Sequence, residues 1–161
     1  MAIAFIALGS NLQNPTQQVK RAFDAVAQLP ETTLLKQSSL YKTAPVGYDN
    51  QPDFINAVVK VETKLVPEAL MRHLLTIETQ FGRERPFPNA PRILDLDLLL
   101  YDAVCMQTDL LALPHPRMQE RGFVMLHVIG CVSLMLMAIA LITPTDRDPI
   151  FGQSFRRRAS L

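Results

Sequence analysis

The alternation of apolar and polar positions divides the first three quarters of the chain into short elements. Residues 2–8, AIAFIAL, form an apolar run of strand length, and Gly9-Ser10-Asn11 is expected to end it. Pro15 suits a first helical position, and Val19, Ala22, Phe23 and Val26 then recur at helical spacing until Leu29-Pro30. TTLLKQSSLY at 32–41 reads as one long, irregular strand, and the Pro/Gly/Asp/Asn-rich stretch 43–53 reads as a loop. FINAVVKVET at 54–63 alternates, placing Ile55, Ala57, Val59 and Val61 on one face. Pro67 opens a second helix with Leu70, Leu74, Ile77 and Phe81 on one stripe, and Gly82 suits its end. GRERPFPNAPR at 82–92 is too rich in proline and charge for a core segment. ILDLDLLLY at 93–101 predicts a strand, and 111–123 a short strand, a Pro-His-Pro turn and a short helix.

The order β-α-β-β-α-β predicts an α+β chain with a ferredoxin-like sandwich, its sheet antiparallel or mixed and its helices packed on it. At 161 residues one principal domain is expected, over 1–146, followed by a short basic tail at 147–161. Charge is placed accordingly: 1–146 carries 12 basic and 14 acidic side chains, the tail 4 and 1. The formal net charge of +1 argues against a dedicated nucleic-acid binder. Two cysteines supply neither a disulfide framework nor a zinc site, and fit a cytoplasmic protein. The N-terminus lacks the basic start of a signal peptide. Residues 124–142 carry no Asp, Glu, Lys or Arg over roughly the length of a bilayer span, so a membrane-associated protein is an alternative. Packing of that run within a soluble domain is the favoured expectation, since a bilayer helix there would press the preceding residues against lipid.

Candidate chemistry centres on Asp95-Leu96-Asp97. Residues i and i+2 of a strand share a face, their Cα atoms about 6.6 Å apart, so both carboxylates point one way. Such a pair suits Mg²⁺, which often binds through one or two acids plus substrate phosphates; an acidic, half-solvated strand face is the alternative. Arg83, Arg85 and Arg92 flank the pair, and guanidinium forks match phosphate oxygens. Arg92 could equally form a plain salt bridge with Asp95. No G-x-x-x-x-G-K-[ST] is present, so a nucleotide would not sit on a P-loop. His115, held between Pro114 and Pro116, could meet a phosphate or serve the turn. Glu78 lies at the edge of the second helix's apolar stripe. Asn56 interrupts an apolar strand, where a buried amide needs partners. Phe54 and Phe123 could stack on a flat ring or fill the core, and Asn11 could cap a turn.

Taken together, ALGSNL (7–12), YKTAPVG (41–47), QPDFINAV (51–58), ETQFGRER (78–85), NAPRILDLDLLLY (89–101) and LPHPRMQERGFV (113–124) resemble the 6-hydroxymethyl-7,8-dihydropterin pyrophosphokinases of folate synthesis. The resemblance implies an ATP- and Mg²⁺-dependent diphosphokinase, monomeric and cytoplasmic, that transfers diphosphate from ATP to the pterin hydroxymethyl group and releases AMP. It implies two Mg²⁺ ions on Asp95 and Asp97, and Arg83 and Arg92 as catalytic contacts to the triphosphate. Glu78, Arg85, His115 and Arg121 become further ATP contacts. Phe54 and Phe123 would sandwich the pterin, whose polar edge would meet Asn56, Thr43, Val46 and Asn11. A module that binds pterin or nucleotide without catalysis is the other reading. Two departures stand out: the chain has no tryptophan for the arginine loop, and the resemblance fades after residue 124.

Overall fold

An apolar strand, β1 (Ala2–Ser10), runs through the middle of the sheet because both of its faces are buried. The computed structural model describes residues 1–45, 50–83 and 90–118 of the chain. After β1 come α1 (Pro15–Ala27), β2 (Thr32–Gln37), β3 (Tyr41–Thr43), β4 (Phe54–Thr63), α2 (Pro67–Gln80), β5 (Asp95–Tyr101), β6 (Met106–Gln107) and β7 (Ala112–Leu113). The main sheet has the order β2-β4-β1-β5, with β3 pairing the other end of β4, and all its pairings are antiparallel. That is the strand order of a ferredoxin-like sandwich, with the expected mixed-sheet option excluded among the described residues. β6 and β7 form a separate small hairpin.

The helices cover one face. Ala4, Ile6 and Leu8 of β1 share a core with Ala57, Val59 and Val61 of β4 and with Leu96 and Leu98 of β5. Val19, Ala22 and Val26 of α1 and Leu70, Leu74 and Ile77 of α2 close it, following the spacing of their apolar positions. The opposite face carries the chemistry. Register pairs Gly9 with both Asn56 and Asp95, and Ala7 with Asp97. Asn56, Gly9 and Asp95 therefore form one row across three strands.

Four elements differ from their sequence expectation. β1 continues through Gly9 and Ser10, because the ladder to β4 and β5 holds this stretch extended. The predicted strand 32–41 divides into β2 and β3. Ser38 hydrogen-bonds Val58 with its backbone N–H and accepts the Val58 N–H on its hydroxyl, so a side chain replaces part of the ladder. β5 starts at Asp95, two residues later than expected, and β6 carries no sequence pattern long enough to reveal it.

Where β5 ends, Tyr101 donates its hydroxyl to the Leu65 carbonyl at 2.6 Å. Burial, with the Asp102 charge adding to it, pushes this phenol above its ordinary value of 10.0. Because the folded value exceeds the unfolded one, the stabilisation is complete below pH 10.0 and fades as pH rises through the folded value. Tyr101→Phe is expected to cost about 1 kcal/mol at pH 7. Urea midpoints should show the gap to wild type narrowing in alkaline buffer; a constant gap would contradict this account.

Candidate active site

The end of α2 places the first site residue. Gly82 has φ 84°, a backbone conformation that glycine adopts without Cβ strain. Its N–H donates to the Thr79 carbonyl and the Arg83 N–H to the Glu78 carbonyl, the paired bonds of a Schellman turn. The chain thereby folds back over the last helical turn and returns Arg83 to Glu78. Glu78 is fully buried, and its carboxylate meets the Arg83 guanidinium through Oε2 while Oε1 accepts the Leu96 N–H at 2.7 Å. That amide belongs to β5, whose strand partner in the main sheet among the described residues is β1. A carboxylate from α2 thus serves a β5 amide and a guanidinium together. Burial of this charge is offset by the ion pair and by the hydrogen bond to Oε1, while Oε2 has no hydrogen-bond partner among the described residues.

Arg83 continues the chain of contacts to β5. Its Nη2 lies 3.2 Å from Asp95 Oδ1, and Arg92 Nη1 lies 2.9 Å from Asp95 Oδ2. Among the described residues, a guanidinium thus meets each Asp95 oxygen. The Arg92–Asp95 salt bridge raised by their sequence proximity is present, within a larger network. Nε of each arginine is buried and has no hydrogen-bond partner among the described residues.

Arg92 is also held by its backbone. The Asn11 Oδ1 accepts the Arg92 N–H at 2.8 Å, and the Asn11 N–H donates to the Arg92 carbonyl at 3.1 Å. From its other end the same amide donates to Gln51 Oε1 and the Pro52 carbonyl, at 2.8 and 3.1 Å. Asn11 thus joins the stretch before β4 to the one before β5. Gln51, which sequence reasoning did not single out, enters here; its place inside QPDFINAV was the available signal.

Beside this cluster, the row across the sheet supplies a polar edge. Asn56 is 7% exposed, and its Nδ2 donates to Thr43 Oγ1 at 2.8 Å. Phe54 lies on the same face, two residues earlier. The Arg92 guanidinium carbon sits 5.8 Å from the Phe54 ring centroid, within range of cation–π attraction. A Cβ on Gly9 would meet Asn56 Oδ1 at 3.1 Å and the Phe54 ring at 4.0 Å. Glycine there leaves the space between the amide and the ring clear.

His115 reaches the other carboxylate through a bulge. β1 and β5 shift register between Phe5 and Ile6, and the Leu99 carbonyl accepts the His115 N–H at 2.9 Å. His115 Nε2 then stands 3.9 Å from Asp97 Oδ1. The Arg117 N–H donates to Nδ1 at 3.2 Å, which leaves the proton of a neutral ring on Nε2, toward Asp97.

The structure therefore gathers Glu78, Arg83, Arg92, Asp95, Asp97, His115, Asn11, Thr43, Phe54 and Asn56 around one face and one end of the sheet. Val46, Arg85, Arg121 and Phe123 lie outside the described residues, as do the segment 124–142 and the tail 147–161. No described helix is long and apolar enough to cross a membrane. Among the described residues no three His, Cys, Asp or Glu side chains form a metal cage. Two carboxylates on a strand are a donor set suited to an oxygen-loving cation that completes its shell with phosphate and water.

The chain as a whole is similar to known proteins. A family model described as 7,8-dihydro-6-hydroxymethylpterin-pyrophosphokinase matches residues 5–132. A 2-amino-4-hydroxy-6-hydroxymethyldihydropteridine pyrophosphokinase of Haemophilus influenzae is 42% identical over 147 residues, 91% of this chain and 88% of its own length. Proteins of that name from Pseudomonas aeruginosa and Bacillus subtilis are 43% and 42% identical over 121 and 123 residues. The first match covers 75% of either chain, the second 76% of this chain and 74% of the other. By the extent of the family match and by these identities, the chain belongs to the 7,8-dihydro-6-hydroxymethylpterin-pyrophosphokinase family.

Proposed function

We propose that this chain transfers the β,γ-diphosphoryl group of ATP to the hydroxymethyl group of 6-hydroxymethyl-7,8-dihydropterin. The pterin oxygen forms a bond to the β-phosphorus, the bond from that phosphorus to the α-bridging oxygen breaks, AMP leaves, and the hydroxyl proton is lost. The supporting observation is the junction at Arg92. Its guanidinium contacts Asp95 on one side and lies over Phe54 on the other, so a charge-dense centre adjoins a ring-and-amide face.

Each side suits one substrate. Phe54 offers a stacking surface, and Asn56 with Thr43 offers an amide edge complementary to a flat, polar heterocycle. Arg83 and Arg92 bring guanidinium donors for phosphate oxygens, with His115 Nε2 beside Asp97. Asp95 and Asp97 would hold Mg²⁺, which when bound neutralises phosphate charge and polarises the transferring group. Transfer to an alcohol depends on in-line placement and charge stabilisation more than on a covalent intermediate.

The test is AMP release by the purified protein from ATP in the presence of Mg²⁺ and the hydroxymethyl pterin. AMP and the pterin diphosphate are expected in equal amounts, and none without the pterin. Formation of ADP with a pterin monophosphate, or AMP release that ignores the pterin, would remove this assignment.

A further inference from the structure

Asp95, a carboxylate suited to a divalent cation, has a guanidinium on each oxygen: Arg83 on Oδ1 at 3.2 Å and Arg92 on Oδ2 at 2.9 Å. A cation bound at the usual oxygen distance of about 2.1 Å would compete for those lone pairs and lie against two positive charges. We propose that Arg92 is a gate: in the nucleotide-free protein it keeps free divalent cations off Asp95, and it withdraws when phosphate oxygens offer it a better partner. This inference rests on the proposed nucleotide chemistry and adds an order to it. The cation is accepted together with the nucleotide rather than before it.

The two arginines are not equivalent. Arg83 is 9% exposed along its side chain, is pinned by the Schellman turn, and pairs with the fully buried Glu78 as well as Asp95. Its second carboxylate holds it in place whatever happens at Asp95. Arg92 is 21% exposed, and Asp95 is its one carboxylate partner among the described ion pairs. Its backbone is clamped by Asn11 while its guanidinium lies over Phe54, so the side chain can leave Asp95 without moving the strand. Its buried Nε has no hydrogen-bond partner among the described residues, which leaves a donor available for a phosphate oxygen. The polyanion that draws Arg92 away thereby removes a positive charge from beside Asp95 Oδ2 at the moment the anion's own charge favours a cation there.

The gate is tested without nucleotide, with Mn²⁺ as the probe and free Mn²⁺ read by electron paramagnetic resonance. Wild type, Arg92→Ala, Arg92→Gln and the double variant Arg92→Ala/Asp95→Asn are titrated, with circular dichroism to establish folding. Both single Arg92 variants are expected to bind Mn²⁺ roughly tenfold or more tightly than wild type, and the double variant to lose that gain. If Arg92→Ala does not fold, Arg92→Gln carries the comparison, with Asp95→Asn added to it. Equal Mn²⁺ affinity in wild type and the folded Arg92 variants overturns the gate, as does a gain that survives Asp95→Asn. Pterin-dependent AMP release by wild type is measured separately. Turnover without a cation-affinity gain sinks the gate alone, whereas absent turnover sinks the proposed function.

Discussion

Asp97→Ala is expected to fold like wild type and to release AMP from ATP and the hydroxymethyl pterin roughly a thousandfold more slowly. Asp97 sits mid-strand on β5, with its side chain 20% exposed and His115 Nε2 at 3.9 Å. Its neighbours Leu96 and Leu98 point into the core on the other face, so truncation removes no apolar packing there. What it removes is one of the two carboxylates proposed to hold the cation, at a transfer step dominated by charge stabilisation. Circular dichroism and a urea midpoint close to wild type, with AMP release measured at saturating Mg²⁺, make the comparison. Near wild-type turnover would take Asp97 out of the proposed cation site. Asp95→Ala is a less clean probe, because it also strips both arginines of a partner.

The largest stability effect is expected at Glu78. Glu78→Ala leaves the 9% exposed Arg83 guanidinium without one of its carboxylates and the Leu96 N–H of β5 without its acceptor. Breaking a buried ion pair from one side costs about 3–5 kcal/mol, mostly through the charge left behind. Glu78→Gln separates the two roles. The amide oxygen can still accept the Leu96 N–H, so this variant should recover part of the loss and retain the start of β5. Urea unfolding of both variants checks the series. If Glu78→Ala unfolds at the wild-type midpoint, the buried pair carries no stability. If Glu78→Gln falls as far as Glu78→Ala, the amide hydrogen bond contributes nothing.

The resemblance to a pyrophosphokinase family assigned Glu78 to the nucleotide, whereas its position at the edge of an apolar stripe left a boundary role open. Its described contacts are to Arg83 and Leu96, inside the protein. The contacts of Asn11 are of the same kind: they bind Gln51, Pro52 and Arg92. Both residues thus join other residues around the candidate site to one another.

Local pattern alone determined the elements that depend on one face being apolar. Helical spacing located α1 and α2, and the two-residue period of a strand put Ala57, Val59 and Val61 toward the helices. The same period put Asp95 and Asp97 together on the other side. These inferences hold because a helix or strand buries its apolar stripe largely irrespective of which partner covers it. Tertiary structure decided the rest. Gly9 reads as a strand breaker until Asn56 and Asp95 are seen beside it in the ladder. Ser38 divides a predicted strand because Val58 lies opposite its hydroxyl. Glu78 is buried because the Schellman turn returns Arg83 to it and β5 presents an amide. Asn11 fixes Arg92 across 81 positions of sequence. A polar group's role is set by the partner that satisfies it, and that partner comes within reach only when the chain folds.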